Sequence, residues 1–103
     1  MEKIEKLKSF LINSPDDSFL KHALALEYIK IGNDVEAKNL FLEILELDPD
    51  YIGSYYHLAR LLERTGEKEY AKSWYERGMV AAKRTGDTHA YNELQAAYED
   101  FID

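Results

Sequence analysis

The chain has 103 residues, 46% of them hydrophobic, which suits one domain with a modest core. It contains no cysteine, so disulfide bonds and thiolate metal sites are excluded. The net charge is −7, of which the segment from Asp87 onward supplies −5, and this acidity argues against nonspecific nucleic-acid binding because such binding needs Lys and Arg to neutralise phosphates.

The N-terminal stretch MEKIEKLKSFLIN has lysines and glutamates spread through it and lacks the continuous apolar core of an export signal. No run in the chain approaches the roughly 20 apolar residues that a membrane-spanning helix needs. We therefore expect a cytoplasmic protein without a membrane-bound segment.

Helix-breaking residues divide the chain at regular intervals. Pro15, Gly32, Pro49 and Gly66 are evenly spaced, and Gly86 marks a further break. Each interval is half of the distance between the two prolines, which defines a full repeat of about 34 residues made of two equal halves.

Apolar residues recur at spacings of three and four between these breaks, which predicts amphipathic helices and no strands. In chain order, the predicted helices cover residues 2–13, 16–31, 34–47, 51–64, 67–84 and 88–102. Asn33 is a predicted N-cap, and Glu36 three positions later would complete a capping box. Six helices with short joins predict antiparallel hairpins that stack side by side.

Residues 50–84 carry a pattern of large and small side chains around a turn glycine. The residues that form this pattern are Tyr55, Leu58, Ala59, Leu62, Gly66, Ala71, Tyr75 and Gly78. The pattern and its period of about 34 residues resemble the tetratricopeptide repeat (TPR) family. The resemblance implies an all-α fold, namely a right-handed stack of antiparallel helix hairpins, or TPR-like α-solenoid, of about six helices.

The resemblance covers nearly the whole chain, so residues 1–103 are interpreted as a single TPR-like domain. Its predicted parts are an N-terminal half-repeat helix at 2–13, repeat 1 at 16–49, repeat 2 at 50–84 and a C-terminal capping helix at 88–102. The last helix has polar residues outside its apolar stripe, as the end of a repeat stack requires.

Three features depart from the family pattern. Lys21 stands where the family has a large aromatic residue, and Ile44 stands where it has a small one. The second unit also lacks a closing proline, so the segment MVAAKRTGD is expected to extend its second helix.

The sequence offers little for catalysis, since it has no Cys nucleophile and no Gly-rich phosphate loop. We predict that the chain is not an enzyme and uses no cofactor. His22, His57 and His89 fall early in the first helices of successive units, and a metal site there is the least favoured hypothesis. No pair of them has the helical spacing of a local metal site, so ordinary polar surface is the preferred interpretation.

In TPR proteins the first helices of the repeats line a concave groove that usually holds a peptide or a partner's segment. Carried over position by position, the resemblance places these residues in the groove: Phe19, His22, Leu26, Ile29, Lys30, Gly53, Tyr56, Arg60, Glu63 and Arg64. Apolar and aromatic groups beside three cations suit a peptide with an apolar anchor and a carboxylate. The resemblance thus implies a non-catalytic protein-interaction module, or scaffold, with a protein or peptide partner.

The apolar members of this set have an alternative role. Phe19, Leu26 and Ile29 could instead pack on the N-terminal helix or on a second copy of the chain, which would make a homodimer.

A more specific function, the binding of chaperone C-termini, is not expected. Some TPR proteins bind these C-termini with a clamp of Lys and Asn residues, and this clamp is missing here. The matching positions hold His22, Leu26, His57, His89 and Glu93.

Overall fold

The computed structural model describes residues 2–103, and within this range it contains six α-helices and no strand. The helices are α1 (Glu2–Asn13), α2 (Ser18–Lys30), α3 (Asp34–Leu47), α4 (Ile52–Arg64), α5 (Lys68–Thr85) and α6 (Thr88–Ile102). The predicted all-α fold is confirmed. α2 begins two positions later than predicted because Asp17 is its N-cap, with a side chain that accepts a 2.9 Å hydrogen bond from the Leu20 N–H.

The contacts between Cα atoms divide the chain between Asp48 and Pro49 into two compact units. In the first unit α2 packs on both α1 and α3. The core of this unit consists of Ile4, Leu24, Ala25, Tyr28, Ala37, Phe41, Ile44 and Leu45. The assignment of residues 1–103 to a single domain stays a prediction.

In the second unit α5 packs on both α4 and α6, and α4 has a smaller contact with α6. Its buried hydrophobic residues are Tyr55, Leu58, Ala59, Leu61, Leu62, Ala71, Tyr75, Ala81, Ala82 and Leu94. Apart from the exposed turn residue Gly66, the residues that carry the repeat pattern therefore lie in the core of this hairpin.

The turn after α2 shows why a glycine recurs there. Gly32 has a φ of +81°, a left-handed conformation that glycine adopts without steric cost. The Asn33 side chain caps α3 by accepting a 3.3 Å hydrogen bond from the Glu36 N–H, as predicted. The other half of the predicted capping box is wrong, because the Asn33 N–H instead donates to the Tyr28 carbonyl at 2.9 Å.

The second hairpin differs from the first in the length of its closing helix. α5 has 18 residues and α3 has 14, which confirms the predicted extension. Lys83 occupies the position in repeat 2 that Pro49 occupies in repeat 1, so no proline stops the helix at that point. The extra turn brings Arg84 into an ion pair with Asp50.

The two positions that depart from the family pattern in repeat 1 are both buried. Lys21 is 7% exposed, and its ammonium lies 3.3 Å from the Glu43 carboxylate on α3, while Ile44 is 1% exposed. In repeat 2 the corresponding residues are Tyr55 and Gly78, which pack so closely that a Cβ on Gly78 would lie 2.7 Å from the Tyr55 Cβ.

Candidate functional site

The residues of α4 that the sequence assigned to partner binding share one side of the helix. This set, here called the α4 face, consists of Gly53, Tyr56, Arg60, Glu63 and Arg64. Its spacings of three and four keep its members together, because such residues are neighbours on a helix surface. None of them is buried, whereas Tyr55, Leu58 and Leu62 on the packing side are 5% exposed or less.

Tyr56 and Arg60 form a pair on the α4 face. An Arg60 guanidinium N–H donates a 3.2 Å hydrogen bond to the Tyr56 hydroxyl, and the guanidinium carbon lies 5.8 Å from the centre of the ring. Tyr56 is half-buried and Arg60 is exposed. A rigid aromatic ring and a charged planar group are thus presented together to solvent.

Glu63 connects this pair to the core of the second unit. Its carboxylate accepts a 2.8 Å hydrogen bond from the hydroxyl of Tyr75, which is fully buried, and lies 3.9 Å from the Arg60 Nε. Burial raises the pKa of Tyr75 above its ordinary value, and the hydrogen bond to Glu63 raises it further. Tyr75 therefore stays a neutral donor that holds the carboxylate beside Arg60.

His57 lies next to the α4 face and is half-buried. Its ring meets the Tyr56 ring edge-on, with 5.5 Å between the ring centres. Burial lowers the pKa of His57. The negative charge of Glu93 raises this pKa, and the positive charge of Arg60 lowers it. Burial thus favours the neutral imidazole, which packs against Tyr56.

The corresponding residues of α2, here called the α2 face, are Phe19, His22, Leu26, Ile29 and Lys30. Phe19 is 68% exposed, while His22, Leu26 and Ile29 are half-buried. The His22 ring packs edge-on against Phe41 of α3 with 5.6 Å between ring centres. Phe19 is therefore the member with most apolar surface still open to solvent.

Lys30 on the α2 face is paired with the carboxylate of Glu27, which is not among the predicted groove residues. Its ammonium donates a 3.1 Å hydrogen bond to Glu27, which also lies 3.6 Å from the ammonium of Lys3 on α1. The hydrogen bond from Lys30 lowers the pKa of Glu27. A Glu three positions before a Lys is a signal for such a pair in a helix, and it could have been found.

Within residues 2–103, no group of three or more His, Cys, Asp or Glu side chains is placed to hold a metal ion. His22 and His57 instead have aromatic neighbours within their own units, and His89 is exposed at the start of α6. Nor does any helix in the described part of the chain have the length and apolar character needed to cross a membrane.

Comparison with known proteins identifies the family. Models described as "Tetratricopeptide repeat" match residues 20–51 and residues 40–72. A tetratricopeptide repeat domain protein from Salinibacter ruber is 40% identical, and its crystal structure superimposes with a TM-score of 0.79 over 84% of this chain and 96% of that chain. The chain belongs to the tetratricopeptide repeat family, as the sequence pattern predicted, and its fold class is the all-α helical repeat of that family.

Two further solved structures share the fold. A protein from Bordetella parapertussis is 25% identical, with a TM-score of 0.83 over 96% of this chain and 86% of that chain. The Sgt2 TPR domain from Aspergillus fumigatus is 20% identical, with a TM-score of 0.79 over 96% of this chain and 65% of that chain. The search of curated proteins gives no significant match. TPR domains generally mediate protein–protein interactions and are typically non-catalytic.

Proposed function

We propose that this protein is a non-catalytic interaction module that binds a peptide or partner segment through the first helices of its repeats, α2 and α4. The observation that carries the proposal is the Tyr56–Arg60 pair, in which an aromatic ring and a guanidinium group are held together on an unburied helix face. Tyr and Arg are among the residue types that contribute most binding energy at protein interfaces.

On α4, Tyr56 is the proposed aromatic anchor, and Arg60 and Arg64 are the proposed charge partners. Arg60 already contacts Tyr56 and Glu63, so it loses less side-chain entropy when it binds a carboxylate than an unrestrained arginine would lose. We infer a ligand segment with an apolar side chain to pack on Tyr56 and an acidic group to bind Arg60.

On α2, Phe19 is the proposed apolar contact, with support from the half-buried His22, Leu26 and Ile29 at its side of the helix. Lys30 has a weaker proposed role than Arg60 because its carboxylate partner is closer, at 3.1 Å for Glu27 compared with 3.9 Å between Arg60 and Glu63. A partner carboxylate at Lys30 would have to compete with Glu27.

The test is quantitative affinity capture from native lysate with the immobilised chain, followed by identification of the retained proteins. The double variant Tyr56→Ala/Arg60→Ala should lose the captured partner and keep its helicity. A matched control is Tyr70→Ala/Lys72→Ala, which removes an exposed tyrosine and an exposed lysine from α5 and should keep the partner. Equal capture by both double variants would show that the binding site does not include Tyr56 and Arg60.

A second candidate function is self-association, and the exposure of Phe19 favours it. A phenylalanine that is 68% exposed carries apolar surface that a second copy of the chain could cover. Light scattering after gel filtration tests this candidate: it predicts a dimer that Phe19→Ser converts to a monomer. A strict monomer at high protein concentration rules it out.

A further inference from the structure

A cavity of about 360 Å³ opens beside α5. It is lined by Pro49, Tyr55, Glu76, Arg77, Val80 and Arg84. None of these residues belongs to the α4 face or the α2 face, so the proposed function leaves this cavity, here called the α5 cavity, without a role.

Arg77 is fixed at the α5 cavity by an aromatic ring. Its guanidinium carbon lies 4.3 Å from the centre of the Trp74 ring, and Trp74 in turn packs against Tyr55 with 5.9 Å between ring centres. Among residues 2–103 the structure gives Arg77 this ring contact and no carboxylate partner. Arg77 is exposed, and a guanidinium held over an aromatic ring is well suited to bind a carboxylate through two hydrogen bonds.

The other charged groups of the α5 cavity already have partners. Arg84 is paired with Asp50, and the Glu76 carboxylate accepts a 2.8 Å hydrogen bond from the Tyr98 hydroxyl. Burial raises the pKa of Tyr55, whereas the charges of Arg84 and Arg77 both lower it. The two guanidinium groups thus place positive charge near the Tyr55 hydroxyl, and the carboxylate of Asp50 offsets part of it.

An apolar contact lies beside Arg77. Val80 follows it by three positions, on the same side of α5, and is 62% exposed. Pro49 adds a second exposed apolar group to the lining. A fixed cation next to an open apolar side chain complements a segment that carries an acid next to an apolar residue.

We propose that the α5 cavity binds an acidic segment of a partner protein, in which an Asp or Glu carboxylate pairs with Arg77 and a neighbouring apolar side chain covers Val80. This second surface goes beyond the proposed function, because it uses α5 where that function uses α2 and α4. A partner could contact it independently of the Tyr56–Arg60 pair.

The test is an NMR titration of the full chain, labelled with ¹⁵N and ¹³C, with N-acetyl-Leu-Glu-amide as the probe. The expected result is a saturable shift of the Arg77 Nε–Hε signal and of the Val80 methyl signals. The matched probe N-acetyl-Leu-Gln-amide, which lacks only the charge, should bind at least about tenfold more weakly. Inorganic phosphate should not reproduce the Val80 shift, since it has no apolar group.

Three variants locate the binding. Arg77→Gln should abolish the saturable shifts, and Arg77→Lys should weaken them because an ammonium lacks the guanidinium fork. Tyr56→Ala/Arg60→Ala should leave them unchanged, which separates this proposal from the proposed function. The proposal is overturned by equal binding of the Gln probe, by shifts that phosphate reproduces in full, or by the absence of saturable shifts at Arg77 and Val80.

Discussion

The hydroxyl of Tyr75, a fully buried residue of α5, donates a 2.8 Å hydrogen bond to the carboxylate of Glu63 on α4. Glu63 lies 3.9 Å from the Nε of Arg60, and Arg60 donates to the Tyr56 hydroxyl at 3.2 Å. A chain of polar contacts therefore runs from the core of the second unit to the α4 face. Tyr75, which the family pattern treats only as a packing residue, is thereby connected to Arg60 through Glu63.

The substitution Tyr75→Phe should lower the free energy of unfolding by about 1 kcal/mol, because it removes the hydrogen bond to Glu63 and keeps the packing of the ring. Urea denaturation monitored by circular dichroism measures the change. Tyr98→Phe is the matched control, since its hydroxyl makes a similar 2.8 Å bond to the exposed Glu76. The control should lose less free energy of unfolding than Tyr75→Phe. Equal losses would show that burial of Tyr75 does not strengthen its hydrogen bond.

The raised pKa of Tyr75 predicts a loss of stability at alkaline pH. An unfolded tyrosine loses its proton near pH 10, whereas burial and the bond to Glu63 keep Tyr75 protonated in the folded chain above that pH. The unfolded state then binds fewer protons, so the stability that this shift contributes is complete below about pH 10 and falls as pH rises. Tyr75→Phe should make this fall less steep, by up to about 1.4 kcal/mol per pH unit.

Denaturation curves at a series of pH values from neutral to strongly alkaline check this prediction. Other groups also titrate in that range, so the quantity to compare is the difference in slope between the variant and the parent chain. Identical slopes would mean that Tyr75 ionises equally easily in the folded and unfolded chains.

Gly78→Ala should destabilise the protein by about 1–3 kcal/mol, although alanine favours helices more than glycine does. The added Cβ would lie 2.7 Å from the Tyr55 Cβ and 3.1 Å from a Leu94 methyl, so α4 or α6 must shift to make room. Thermal unfolding measures the effect. Gly53→Ala, at an exposed position of α4, is the control and should not lower the melting temperature.

The two repeats offer a test of coupled packing. Lys21 and Ile44 in repeat 1 correspond to Tyr55 and Gly78 in repeat 2, so a large side chain faces a small one only in repeat 2. Lys21→Tyr alone should destabilise the chain, because the buried Ile44 leaves no room for the ring. The double variant Lys21→Tyr/Ile44→Gly should lose less stability than the two single variants lose in total. The difference in the free energy of unfolding should be at least about 1 kcal/mol.

A double-mutant cycle in urea gives this coupling energy directly. The separate variant Ile44→Gly is expected to be strongly destabilised, since it removes a buried side chain and places a glycine in a helix. Additive effects would mean that the side chains at positions 21 and 44 do not pack against each other as Tyr55 and Gly78 do in repeat 2.

Much of the fold could be predicted because the signals for it are local. Prolines and glycines mark the helix ends, and Gly32, Gly66 and Gly86 all adopt the positive φ that a turn after a helix requires. The absence of a proline at position 83 was enough to predict the longer α5. These signals depend on the chain's own neighbours and on the repeat period, so they are visible without coordinates.

Partners between helices could not be predicted, because they depend on side-chain directions in the packed structure. Nothing in the sequence indicates that Lys21 is buried against Glu43 or that Tyr75 reaches Glu63. The contact between Trp74 and Arg77 is different, because the two residues lie three positions apart on α5 and this spacing is visible in the sequence. The assignment of the α2 and α4 faces to partner binding stays a prediction from the family resemblance.

We propose that Tyr56 and Arg60 carry the binding of a protein partner. The most direct measurement is a calorimetric titration of the purified captured partner into the parent chain and into Tyr56→Ala/Arg60→Ala. If the claim is right, the dissociation constant rises at least about 30-fold in this variant, which corresponds to the roughly 2 kcal/mol of an interface hot spot. A folded variant that binds the partner with the parent's dissociation constant would contradict it.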